Sequence, residues 1–306
     1  MNIPVQPSGP VQPTSPVQPS GTAHGTESTI IRFEDVSLQF GSTCALDHVS
    51  FDVHAGQTCV VFGTAGSGKT MLLKVAVGLV RHDSGRVVLF DHDITGLKEQ
   101  DLFDIRARVG ILFQEGGLFD SLTIAENVAY PLLNQRTLQQ QRGQANGGGT
   151  ANTVEDRVRE ALRFVELENT LEKFPSELSG GMRRRVGIAR AVVTQPALLL
   201  YDSPTAGLDP ITAHTIIALI LKERDLRNTA TIMVTHRYQD GHLMANFRYN
   251  PNSGAIERVA GGKDSNNVST KFLVMKEGRL AFEGTEAELQ ASQDSYVRKF
   301  LRQGGA

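Results

Sequence analysis

Residues 60–73 read VVFGTAGSGKTMLL, and the reading of the whole chain turns on them. A short β-branched run leads into a glycine-rich turn, and a helical pattern opens near Gly68. Gly63, Gly68, Lys69 and Thr70 fill the pattern G-x-x-x-x-G-K-[ST]. The glycines let backbone N–H groups curl around phosphate oxygens, and the positive end of the following helix points at the same oxygens; Thr64, Ala65, Gly66 and Ser67 complete the nucleotide-binding stretch. Lys69 can reach the β- and γ-phosphates of a nucleotide, and the hydroxyl of Thr70 is a ligand for Mg²⁺. A strand before the glycines and a helix after them are the context this motif requires.

The 306 residues fit one large domain or two small ones, and a hydrophobic content of 40% supplies a proper core. A net charge of -2 creates no strong field for nucleic acid or anionic lipid, so nucleic acid is not an expected partner. The two cysteines, Cys44 and Cys59, have no metal-ligand spacing and fit a reducing cytosol; both are expected to fill small core sites. No run approaches the roughly 18 apolar residues of a membrane-spanning helix, and the N-terminus has neither the charged nor the apolar region of a secretory signal. The expectation is a soluble chain that reaches a membrane only through a partner.

Residues 4–21 are three hexapeptides, PVQPSG, PVQPTS and PVQPSG. Proline at this density removes donors and forms no core, so residues 1–28 read as a disordered tail of polyproline II character. From residue 29 to residue 302 strands alternate with helices, the pattern of an α/β fold with a largely parallel sheet. The segments around residues 30–40 and 49–53 read as strands on either side of a turn at Gly41. A helix is expected over residues 123–133, broken at Pro131. Residues 134–152, rich in Gln, Asn and Gly, read as an exposed loop. NPNSG within residues 247–270 signals a small hairpin, and residues 285–302 read as amphipathic helix. The run Arg183, Arg184 and Arg185 reads as a solvated helix with some proximity to phosphate rather than a nucleic-acid patch.

Residues 198–202, LLLYD, form an apolar strand ending in a carboxylate of the kind that holds the Mg²⁺ shell in phosphate-loop NTPases, and SPTAGLDP follows at once. With LSGGM at residues 178–182 the chain resembles the ATP-binding cassette (ABC) ATPases, over about residues 30–302. The resemblance implies a RecA-like P-loop NTPase core with a small antiparallel β part at the N-terminal side and an inserted helical subdomain at about residues 116–195. It makes Gly63 to Thr70 the Walker A motif, Gln114 the Q-loop glutamine, Asp202 the Walker B aspartate, Asp209 the D-loop aspartate and His236 the switch histidine. Phe40 takes the place of the aromatic that stacks on adenine. Thr70, Gln114 and Asp202 are the implied Mg²⁺ residues. Ser179, Gly180 and Gly181 are implied to contact the γ-phosphate held by a second, facing subunit, so that ATP joins a homodimer or heterodimer.

One position departs from the family. The residue after the Walker B aspartate is normally glutamate, the candidate general base, and here it is Ser203. A serine hydroxyl is no base near neutral pH without help. Loss of a general base costs on the order of 10² to 10⁴ in rate, about 3 to 5 kcal/mol. Three readings stand open: a slow clamp or regulatory protein, pairing with a subunit that keeps its glutamate, or a substitute carboxylate, for which Glu115 beside Gln114 is the nearest candidate.

FQEGGLFDSLTIAENVAYPL at residues 113–132 and DSYVRKFL at residues 294–301 are similar to the ATPases of Mla-type phospholipid transporters and their Mce-associated relatives. That similarity implies a membrane permease as partner, a place on the cytoplasmic face of the inner membrane, phospholipid or a related hydrophobic cargo, and a further Mce-domain partner. The soluble ABC proteins of DNA repair and translation fit less well, because the chain carries one cassette and no long heptad run.

Overall fold

The computed structural model describes residues 28–114, 116–141, 153–259 and 269–302. The repeats of the expected N-terminal tail and the candidate base Glu115 lie outside the described residues.

The chain opens with two long strands, β1 (Thr29–Phe40) and β2 (Thr43–His54), paired antiparallel across the turn at Gly41. Strand β3 (Thr58–Gly63) then delivers the glycine-rich loop to helix α1 (Lys69–Ala76). Next come β4 (Ser84–Leu89), β5 (His92–Asp93), α2 (Glu99–Arg106) and β6 (Val109–Leu112). Three helices follow, α3 (Ile124–Gln141), α4 (Val154–Phe164) and α5 (Gly180–Val192). The chain returns through β7 (Leu198–Asp202), α6 (Pro210–Arg227), β8 (Ala230–Thr235) and α7 (Tyr238–Asn246). A hairpin of β9 (Phe247–Asn250) and β10 (Ala255–Arg258) precedes β11 (Thr270–Lys276) and β12 (Arg279–Gly284), and α8 (Glu286–Ala291) and α9 (Val297–Arg302) close the described chain.

Two sheets result. One is antiparallel, in the order β2-β1-β4-β5, and the other has the order β12-β11-β3-β8-β7-β6. The strands from β11 to β6 in the second run parallel, and β12 is an antiparallel edge. Every residue of β3, β7 and β8 is buried, as two-sided coverage demands. Alternation sorts their side chains. Val60, Phe62, Leu199, Tyr201 and Met233 face the cluster built with α3 to α7, whereas Cys59, Val61, Leu198, Leu200 and Ile232 face the one built with α1, α2 and the antiparallel sheet.

Three expectations need correction. Helix α3 is not broken at Pro131 and runs on to Gln141, so residues 134–141 are helical and only part of the expected loop. Proline does remove one helical hydrogen bond, but Ile124, Val128, Ala129 and Leu132 are buried around it and hold the helix in place. The C-terminal stretch is two short helices rather than one, because Asp294 stops and restarts the chain by accepting from the N–H groups of Tyr296 and Val297 at 2.7 and 3.1 Å. The three arginines of α5 are also not uniformly solvated: Arg183 is exposed, Arg185 half-buried and Arg184 buried, and each reaches a backbone carbonyl, Arg183 that of Leu178, Arg184 those of Phe113 and Ala206, and Arg185 that of Val165.

Helix α7 is seated on β3 through Gly241, where an added Cβ would lie 2.7 Å from Phe62 Cζ and 2.9 Å from Phe272 Cε1. Gly241→Ala is therefore expected to cost about 1 to 3 kcal/mol by overpacking. The denaturation midpoint, with an unchanged slope, measures it.

Candidate functional site

The phosphate loop needs its glycines for contact as well as for conformation. A Cβ on Gly63 would lie 2.3 Å from Ser67 Oγ, and one on Gly68, whose φ is 100°, would lie 2.3 Å from the Ala45 carbonyl oxygen. Gly66, at φ 77°, has nothing within 4 Å of its own Cβ position and faces the open mouth of the loop. The loop is the floor of a cleft of about 780 Å³. That volume lies within the range of pockets for small molecules and cofactors.

Most of the residues named from sequence meet here. Phe40, Thr64, Ala65, Gly66, Ser67, Gly68, Lys69, Thr70, Gln114, Ser203 and His236 all line the cleft. Phe40 is 52% exposed, an apolar ring left in reach of a ligand. Lys69 turns back on its own loop, donating to the Gly63 and Thr64 carbonyls at 2.8 Å each and to Ser67 Oγ at 3.4 Å. Burial lowers the pKa of its ammonium, against an opposing pull from Asp202. A phosphate would give that ammonium a charged partner in place of the two carbonyls.

Asp202 sits at the end of β7, buried at 4% exposure. The Thr70 hydroxyl donates to one carboxylate oxygen at 2.9 Å and the Ser203 hydroxyl to the other at 3.2 Å. Mg²⁺ prefers a few hard oxygen ligands in an octahedron with metal–oxygen distances of about 2.0–2.1 Å. A hydroxyl and a carboxylate oxygen side by side at a helix N-terminus fit such an ion, and Thr70 and Asp202 would hold it with Gln114 on the cleft wall. Ser203 occupies the left-handed region at φ 50°, and its N–H donates to the Val234 carbonyl at 2.9 Å.

Other residues named from sequence stand apart from this cleft. Ser179 caps α5, accepting from the Met182 N–H at 3.2 Å, and Ser179 and Gly180 are exposed on another part of the surface. Asp209 caps α6, accepting from the N–H groups of Ile211 and Thr212 at 3.1 and 3.0 Å. Cys59 is buried as expected, but Cys44 is exposed and lines the cleft, because β2 leaves the core at its first residues.

Sequence reading missed three participants. Lys299 and Phe300 of α9 also line the cleft. Asp240 of α7, 2% exposed, accepts from the Thr205 hydroxyl at 2.6 Å and the Thr235 hydroxyl at 2.8 Å. It thus ties the turn after Ser203 to the residue before His236. Lys299 and Phe300 fall in the segment DSYVRKFL, which carried a resemblance but no site role, and Asp240 is marked by no motif; each acts across a tertiary contact.

Comparison with known proteins agrees with this geometry. The ABC transporter family profile matches residues 46–206. A methionine import ATP-binding protein of Rhizobium johnstonii is 37% identical over 210 residues, 69% of this chain and 55% of the relative. The chain therefore spans little more than half of that relative's length. The ATP-binding protein MlaF of the intermembrane phospholipid transport system of Haemophilus influenzae is 29% identical over 273 residues, 89% of this chain and 90% of the relative. Among solved structures, a dimeric ATP-binding cassette in a post-hydrolysis state bound to ADP and Pi superposes with a TM-score of 0.66 at 25% identity, covering 83% of this chain and 98% of that one.

Burial raises the pKa of Asp240 above the ordinary aspartate value, although the two threonine hydroxyls pull it down. An acid with a raised folded-state pKa stabilises fully below its unfolded pKa, and that contribution is lost as pH rises through the folded value. Asp240→Asn keeps an oxygen for both hydroxyls and removes the titration. The stability difference between wild type and variant is expected to move in favour of the variant as pH rises from about 4 to 7. Denaturation midpoints of the pair across that range check it.

Proposed function

The chain belongs to the ABC transporter family, and on that premise we propose that it is the ATP-hydrolysing subunit of a membrane transporter. The observation that carries this reading is the pairing of the Thr70 hydroxyl with the Asp202 carboxylate at 2.9 Å, at the mouth of a glycine-rich loop. ATP enters the cleft with its phosphates on residues 63–70 and its adenine at Phe40. Lys69 leaves the carbonyls it now holds and pairs with the β- and γ-phosphates. Thr70, Asp202 and Gln114 would hold Mg²⁺, which would supply positive charge to the phosphate oxygens. Gln114 and His236 position the attacking water and the γ-phosphate from the opposite wall.

Ser179, Gly180 and Gly181 lie outside their own cleft, which supports a second subunit placed head to tail so that each signature helix meets its partner's nucleotide. Closing joins two subunits through ATP, and hydrolysis releases them. A permease would read that motion at residues 113–133, where Phe113, Phe119, Tyr130 and Leu133 are 38–49% exposed. The rings of Phe119 and Tyr130 lie 4.7 Å apart there. No helix among the described residues is long and apolar enough to cross a membrane. In this reading the permease would hold the chain peripherally, on the cytoplasmic face.

Phospholipid or a related hydrophobic compound is the cargo we favour. The match to the phospholipid transport relative covers 90% of that relative's length, whereas the matches to methionine import relatives cover 55–72% of theirs. A Mce-domain partner belongs to the same reading. With Ser203 in place of a carboxylate, turnover is slow unless Glu115 or a partner subunit supplies the base. A clamp with little hydrolysis is the second reading, and Ser203 is its support.

Steady-state hydrolysis at saturating MgATP separates the two readings. The wild type is expected to turn over slowly and Ser203→Glu to raise kcat by about 10²-fold. A wild type as fast as the variant would mean that another base acts, with Glu115→Gln as the next variant to assay. Affinity purification from detergent-solubilised membranes tests the transporter assignment: a polytopic permease is expected with the tagged chain, with phospholipid bound to the complex. Recovery of the chain without any membrane protein would sink the transporter reading.

A further inference from the structure

Tyr296 lies 232 positions from Thr64 in sequence, yet its hydroxyl meets the first residue of the phosphate loop. A phenol has one proton to give, and this one goes to the Met275 carbonyl at the end of β11, at 3.0 Å. The same oxygen then accepts from the Thr64 N–H at 3.3 Å and pairs with the Thr64 hydroxyl at 3.2 Å. The Thr64 N–H and the Gly63 carbonyl belong to one planar, trans peptide and point to opposite sides of it. Lys69 grips the carbonyl side at 2.8 Å and Tyr296 holds the N–H side.

Packing fixes the phenol where it is. Its ring meets Phe300 edge-on with centroids 5.6 Å apart, and Phe300 stacks on Phe62 of β3 at 5.8 Å. The ammonium groups of Lys276 and Lys299 lie 5.4 and 5.6 Å from its centroid. Asp294 caps the turn that presents it, with hydrogen bonds to the Tyr296 and Val297 N–H groups at 2.7 and 3.1 Å. The C-terminal helix is therefore docked on the strand that carries the phosphate loop, and Lys299 and Phe300 continue it onto the wall of the cleft.

We propose that Tyr296 is a positioning residue of the nucleotide site, holding the Gly63–Thr64 peptide in its binding conformation from the turn that opens the C-terminal helix. The proposal rests on the nucleotide-binding reading of the cleft. When Lys69 turns from the loop carbonyls to a phosphate, the peptide loses its grip on one side and keeps the Tyr296 grip on the other. The loop then stays shaped for phosphate instead of relaxing. Linkage makes the relation reciprocal: if docking of the helix favours nucleotide, nucleotide favours docking by the same factor.

Tyr296→Phe keeps the ring and its packing and removes only the hydroxyl. Calorimetric titration of full-length chain with MgADP is expected to show binding weakened about threefold to tenfold, the range of a hydrogen-bond contribution, with the melting temperature of the nucleotide-free protein little changed. In the wild type, saturating MgADP is expected to slow amide hydrogen exchange over residues 297–301, and the variant to lose that response. A variant that binds MgADP as tightly as wild type overturns the proposal while leaving the nucleotide site standing. Should the variant fail to fold, the wild-type arm still decides: unchanged exchange in α9 at saturating MgADP overturns the proposal too. A wild type that binds no MgADP refutes the nucleotide reading itself, and this inference with it.

Discussion

The hydrogen bond from the Thr70 hydroxyl to Asp202 joins positions 132 residues apart, and it exists only because the parallel sheet is in register. In that sheet Phe62 lies beside Thr235, and Val234 beside Asp202. Gly63, Thr235 and Asp202 thus arrive together at the carboxyl edge of adjacent strands. Slipping any of them by one residue would exchange the faces of Val60, Phe62, Leu199 and Tyr201 with those of Cys59, Val61, Leu198 and Leu200. Each strand is buried on both faces, so neither set can be moved without repacking a layer. The chemistry at the edge is held by apolar residues that never touch it.

At that edge the carboxylate is surrounded by hydroxyls. Asp202 takes one from Thr70 and one from Ser203, and nearby Asp240 takes two more from Thr205 and Thr235. Both carboxylates are buried, and hydroxyl donors offset part of the desolvation that burial imposes. A glutamate at position 203 would add a second negative charge next to Asp202, which only a cation could balance. Serine avoids that conflict in the nucleotide-free chain. The Ser203 hydroxyl, unlike a carboxylate, holds its own proton at neutral pH.

The elements legible in the sequence are those whose reason lies within a few residues. The glycine-rich loop, the apolar run ending at Asp202 and the Ser179 cap are contiguous patterns, and the structure has each where the pattern places it. Gln114 and His236 are unremarkable single residues, found through their order along a family pattern. Pro131 misled because a local rule met a buried helix face. Arg184 misled because a run of charge says nothing about which carbonyls a fold will bring near it. The contacts of Tyr296 and Asp240 were invisible for the same reason, their partners being on other elements.

Arg184 also shows how separate parts of the cleft are tied to one helix. A guanidinium presents five donors in a rigid fork, so one side chain can bridge two carbonyls that no backbone bond connects. Arg184 donates to Phe113, the residue before Gln114, at 3.3 Å and to Ala206, between Ser203 and Asp209, at 3.1 Å. On the same helix Arg190 donates to the carbonyls of Gly116 and Gly117 at 2.8 and 2.7 Å. Both bonds fasten the turn that follows Gln114 to α5, the helix whose first turn displays Ser179 and Gly180. The segments before Gln114, after Gln114 and after Ser203 are thus all fastened to one helix, with no continuous strand or helix running between them.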